Sequence, residues 1–155
     1  MGNHGVDPTG AVPLFVAFLS EELFPELAAR YRVQPNDRAI YGHSYGGLFG
    51  ACAFLEHTDL FNRYLILGHF LWFKDQVLPD RLEERSPPID RCTRLFMEPM
   101  ELDREIYQYQ EAVMGVLRRR KVENVIIHSE VVSNETHRTI FGVGLTNGLR
   151  FIYRE

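Results

Sequence analysis

The chain has 155 residues, 45% hydrophobic and 25% charged, with a formal net charge of −4. That is the composition of one folded domain able to bury about 70% of its unfolded surface, which excludes a disordered or fibrous chain. No apolar stretch reaches the ~20 residues that a membrane helix needs, and two cysteines make no disulfide framework, so both are expected to be reduced.

Residues 13–31 carry Leu14, Phe15, Phe18, Leu19, Leu23, Phe24 and Leu27 at three- and four-residue spacings, which predicts an amphipathic helix. Pro25 lies inside it and is expected to kink or split it, because the ring removes an amide donor. A strand follows at 38–41, a helix at 47–55 holding Cys52 as small core filling, and a turn at 59–62. Residues 64–67 form a short continuous apolar run, the mark of a strand covered on both faces. The stretch 74–91, with three prolines, reads as irregular or only partly helical. A third strand is expected at 93–97, a helix at 105–121, a fourth strand within 122–132 and a last helix at 138–153. Three glycines argue against a regular last helix. Arg118, Arg119, Arg120 and Lys121 close the preceding helix, where cations offset its dipole, and are read as a helix end rather than a nucleic-acid patch. Strands alternating with helices predict an α/β fold: a mostly parallel sheet of about four strands flanked by helices, in a single domain over residues 1–155.

Between the first strand and its helix stands Gly42-His43-Ser44-Tyr45-Gly46, a G-x-S-x-G sequence in the strand, turn and helix context of a nucleophile elbow. Both glycines are expected to be needed, since a Cβ two positions either side of Ser44 should collide with backbone. The turn would lift the Ser44 hydroxyl out of the sheet and leave the Tyr45 N–H at a helix N-terminus to stabilise an oxyanion.

A serine hydroxyl needs a base in reach, usually a histidine that a carboxylate orients. In α/β-hydrolases the chain order is serine, acid, histidine. His137 follows the fourth strand and precedes the last helix, the address expected of the base. The acid is expected after the third strand, where Glu101 is the first choice and Glu98 and Asp103 are alternatives; otherwise all three are solvated or helix-capping charges. His43 is expected to pack at or line the site rather than serve as base, and His69, just past the second strand, to line the pocket. No metal site is expected, since no H-E-x-x-H or C-x-x-C spacing occurs, and no cofactor is called for.

Several stretches together resemble the esterase family of the α/β-hydrolase superfamily, in its siderophore (enterobactin-type trilactone) esterase branch. They are Phe18-Leu19-Ser20-Glu21-Glu22-Leu23-Phe24-Pro25, Ile40 through Phe49 around the elbow, Asp59-Leu60-Phe61-Asn62-Arg63-Tyr64, Glu135-Thr136-His137, and Gly148-Leu149-Arg150-Phe151-Ile152-Tyr153. The resemblance implies Ser44 as nucleophile, His137 as general base and the Glu101 region as the place of the acid. It also implies a small-molecule ester as substrate. Leu67-Gly68-His69-Phe70-Leu71-Trp72 departs from the family's usual "SPSLWW", keeping Trp72 but not the serines and proline; the resemblance implies Trp72 as a substrate-side residue, with His69 and Phe70 reshaping that side of the pocket.

The resemblance further implies strands and an oxyanion loop ahead of the helix at which this chain opens. The chain is therefore expected to be the C-terminal portion of an α/β-hydrolase fold, either as a fragment or with its first strand's edge completed by a partner, including a second copy. Losing one oxyanion donor costs about 10²- to 10³-fold in rate. The alternative expectation is thus a weak or inactive remnant acting as a dimerising or binding module. Residues 1–7 lack the regions of a signal peptide, so a cytoplasmic location is expected unless the natural N-terminus is longer.

Overall fold

A computed structural model describes residues 11–68, 77–84, 89–102 and 104–154. The chain divides into two compact units, residues 1–35 and 36–155. In the first, α1 (Val12–Ala17) continues through a π-helical stretch, Phe18–Leu23, into α2 (Phe24–Arg30). The expected disturbance at Pro25 takes this form. Pro25 has no N–H to give and its ring crowds the carbonyl four residues back, so the preceding turn widens and Phe24 N–H bonds Leu19 O, five residues back. Leu14, Phe15, Phe18 and Leu27 of the amphipathic stripe are exposed, and the Phe15 and Phe18 rings stack at 6.0 Å.

The second unit runs β1 (Ala39–His43), α3 (Tyr45–Glu56), β2 (Arg63–Leu67), α4 (Val77–Glu84), β3 (Thr93–Glu98), α5 (Arg104–Arg120), β4 (Val125–Ser129) and α6 (Ile140–Ile152). The four strands lie in the order β1-β2-β3-β4 and all pair in parallel, as the alternation of strands and helices predicts. The stretch 74–91, expected to be irregular or only partly helical, includes one helix, α4, among its described residues.

Because side chains alternate along a strand, each strand feeds two layers. On one face Ile66, Leu95 and Met97 meet Ala51, Phe54 and Leu55 of α3, Leu82 of α4, and Val113 and Leu117 of α5. On the other, Leu65, Leu67 and Phe96 pack with Ile152, Leu145 and Phe151 of α6. Strand β2 is buried along Tyr64–Leu67, the covering expected of a continuous apolar run. Cys52 is only partly buried rather than core filling, and neither it nor the exposed Cys92 is in a disulfide.

Two of the three glycines that argued against a regular last helix have a packing role, while Gly142 faces open space. A Cβ on Gly148 would stand 2.3 Å from Leu65 Cδ1, and one on Gly144 would stand 2.7 Å from both Leu67 Cδ1 and Glu98 Oε2. Helix α6 is regular and lies directly on the sheet because these positions have no side chain. Its C-terminal carbonyls are taken by arginines: Arg94 Nη1 donates to Phe151 O at 3.2 Å and Arg63 Nη1 donates to Ile152 O. Arg63 also donates to both carboxylate oxygens of Asp37, at 2.5 and 3.1 Å, which holds the Asp37 carboxyl below its ordinary range. The turn Asp59–Tyr64 thereby fixes strand β2 against the end of α6. Among the described residues no helix is long and apolar enough to cross a membrane.

Candidate active site

Parallel sheets collect their loops at the carboxyl ends of the strands, and there the structure packs His43, the neighbour of Ser44, against His137. Ser44 links β1 to α3 with φ 60° and ψ −123°, a conformation an L-residue holds only when its surroundings enforce it. Two hydrogen bonds do so: Ser44 N–H to Leu67 O at the end of β2 (3.2 Å), and Leu48 N–H to Ser44 O at the start of α3 (3.1 Å). A serine at this helix boundary ordinarily caps the helix with its hydroxyl. Here it makes no side-chain cap bond, so the strained backbone keeps Oγ away from that use. Tyr45 is the first residue of α3, so its N–H stands at the positive end of the helix dipole.

The two glycines of the elbow differ. A Cβ on Gly42 would lie 2.1 Å from Gly46 O and 2.8 Å from Gly47 N, whereas one on Gly46 meets nothing within 4 Å. The expectation that both are sterically required is therefore corrected: the turn folds back over Gly42 and leaves Gly46 on its open side.

His137 lies in the loop between β4 and α6. That loop is tied in three places. Thr136 N–H donates to Thr139 Oγ1 (3.0 Å) while Thr139 N–H returns to Thr136 O (3.1 Å), closing a tight turn around His137. Upstream, Val132 N–H bonds Pro99 O (3.1 Å), Glu101 N–H bonds Val132 O (3.2 Å), and the Glu101 carboxylate accepts Asn134 N–H (3.2 Å). On the elbow side, His43 Nε2 lies 2.8 Å from His137 O, and the two rings pack 4.5 Å apart at 31°. Register explains this last contact, because His43 pairs with Leu67 and so points to the α6 face, where the residues entering α6 lie.

Glu101, the first choice for the acid, is thus an exposed residue whose carboxylate holds the histidine loop through Asn134, three residues before His137. Glu98 is not a solvated charge. It is fully buried, its Oε1 accepting Asn147 Nδ2–H at 3.0 Å and its Oε2 buried with no hydrogen-bond partner. Burial pushes its pKa up, opposed by the Asn147 hydrogen bond, with a further upward push from Glu130. Asp103, His69 and Trp72 lie outside the described residues.

A carboxyl with a raised folded pKa binds more protons folded than unfolded, so its contribution favours the fold at acid pH and is lost as pH rises from the unfolded value through the folded one. The denaturation midpoint of the parent is expected to fall relative to Glu98→Gln across that window, leaving the variant the more stable at alkaline pH. Guanidinium titrations of both proteins at a series of pH values check this; parallel pH curves would count against a buried, uncompensated carboxyl.

A family model described as "Putative esterase" matches residues 8–138. The chain belongs to that family. Ferri-bacillibactin esterase BesA of Bacillus subtilis (strain 168) is 25% identical over 154 residues, covering 92% of this chain and 52% of that protein. Siderophore enterobactin esterase of Emericella nidulans is 33% identical over 69 residues, 43% of this chain and 23% of that protein. Among solved structures, an IroE-like serine hydrolase from Shewanella oneidensis superposes with a TM-score of 0.78 at 23% identity, over 91% of this chain and 47% of that one. Siderophore hydrolase EstB from Aspergillus nidulans does so with a TM-score of 0.76 at 19% identity, over 90% and 57%. These structures share the α/β-hydrolase fold with this esterase-family chain. The chain spans about half the length of the Bacillus relative it matches.

Sequence reading missed Glu98's burial and the contact between His43 and His137. For the first a signal existed: strand alternation puts Glu98 on the face of Phe96, and that face is covered.

Proposed function

We propose that this chain carries the nucleophile and base of a serine carboxylic-ester hydrolase. The observation that supports it most is Ser44, held at φ 60° on a turn over Gly42 with its hydroxyl unused by the helix it precedes, and His137 fixed beside that turn. His137 takes the Ser44 proton as Oγ attacks the ester carbonyl, and the oxyanion is met by the Tyr45 N–H. The proton returns to the leaving alcohol, and water, activated by the same histidine, then releases the acyl group from Ser44. Glu101 supports the base by holding its loop through Asn134. The named relatives being siderophore esterases, the substrate class we assign is the siderophore-type ester. Turnover of a p-nitrophenyl ester by the parent and its loss in Ser44→Ala is the test; turnover that survives the change refutes the reading.

The outer edge of β1 favours a second reading, self-association. No strand pairs with it among the described residues, and Tyr41 is exposed on it. Unpaired strand edges recruit other strands. Sedimentation is expected to show a dimer, and a stable monomer over the accessible concentration range argues against it.

A further inference from the structure

We propose that His43 is a positioning residue for His137 rather than a wall of the substrate pocket, an inference that rests on the esterase reading of the site. The atom that His43 Nε2 faces at 2.8 Å is a backbone carbonyl oxygen, which can only accept. His43 therefore carries a proton on Nε2 and donates it to His137 O. The same ring packs against the His137 ring at 4.5 Å, so one side chain fixes both the backbone and the face of the proposed base.

The end of β2 is shaped around this pair. Gly68 has φ +48°, the left-handed region that favours glycine. A Cβ there would come within 3.0 Å of His43 Nε2 and 3.1 Å of His137 Nδ1, so any other residue would press on both rings at their contact. His43 adjoins Ser44 in the chain, and Ser44 N–H is tied to Leu67 O, the residue before Gly68. The nucleophile's backbone, the glycine and the two rings form one closed arrangement joining β1, β2 and the loop before α6. Displacement of a catalytic group by about 1 Å can cost 10²-fold in rate. His43 sets that distance for His137 without touching substrate.

Two substitutions separate the donor from the ring. His43→Gln keeps an N–H donor at a similar reach and loses the ring; His43→Phe keeps the ring and loses the donor. With p-nitrophenyl butyrate, His43→Phe is expected to lower kcat roughly 10- to 100-fold with KM changed less than about twofold, and His43→Gln to recover most of the loss. The carbonyl ¹³C signal of His137, assigned in labelled protein, should move in His43→Phe and stay near its parent position in His43→Gln. This signal reads the contact whether or not the chain turns over ester. An unchanged kcat in His43→Phe, an effect confined to KM, or a His137 carbonyl signal indifferent to both substitutions overturns the proposal. Activity that persists in Ser44→Ala instead overturns the esterase reading and leaves the carbonyl measurement to decide the contact alone.

Discussion

Ser44→Ala is expected to lower ester turnover by roughly 10⁴-fold or more while leaving the fold in place. The size follows from what is removed. Without Oγ no acyl-enzyme can form, and only positioning and the Tyr45 amide remain to assist direct attack by water. Alanine should also be tolerated structurally, because Ser44 makes no side-chain cap bond whose loss would weaken α3. The strain at φ 60° remains, since alanine has a Cβ as serine does. Steady-state kinetics with a p-nitrophenyl ester, alongside thermal melts of parent and variant, separate loss of chemistry from loss of fold.

Gly42→Ala should act on both. Its Cβ would meet the carbonyl oxygen of Gly46 at 2.1 Å and the amide nitrogen of Gly47 at 2.8 Å, and these backbone atoms have no rotamer through which to withdraw. Relief requires the turn to open, which pulls Ser44 out of its φ and its N–H away from Leu67 O. We expect a loss of about 1–3 kcal/mol or more in stability and at least roughly 10²-fold in turnover. Gly46→Ala is the matched control. Its Cβ enters open space and alanine favours the helix by up to about 1 kcal/mol, so its melting temperature should equal or exceed that of the parent. Equal effects from the two substitutions would show that the turn's crowding is not what holds the elbow.

Most of the fold was legible because its strands are short apolar runs bounded by turn residues; β2 and β3, in the middle of the parallel sheet, are buried, while β1 and β4 at its edges are only partly covered. The sequence Tyr64-Leu65-Ile66-Leu67 is the clearest case, fully buried across both faces of the sheet. Local rules failed where a tertiary contact reversed their meaning. Gly144 and Gly148 weaken a helix on propensity alone, yet here they let α6 approach Leu67 and Leu65 closely. Pro25 was legible as a disturbance but not as a π-helical turn, since several rearrangements relieve the same clash. In the site, chain order alone was enough to single out His137 as the candidate base. The separation of 94 positions between His43 and His137 hid their contact, which depends on which face of β1 His43 takes and on how the loop after β4 folds back. Glu101 was expected as an acid on the histidine; the structure has it bonded to that histidine's loop.

A fluorophosphonate probe, followed by intact mass and peptide mapping, tests most directly whether this elbow makes a reactive serine. One adduct on Ser44 of the folded parent, absent in Ser44→Ala and slowed in Gly42→Ala, is the predicted result. A folded parent that takes up no probe, or carries it on a residue other than Ser44, would contradict the account.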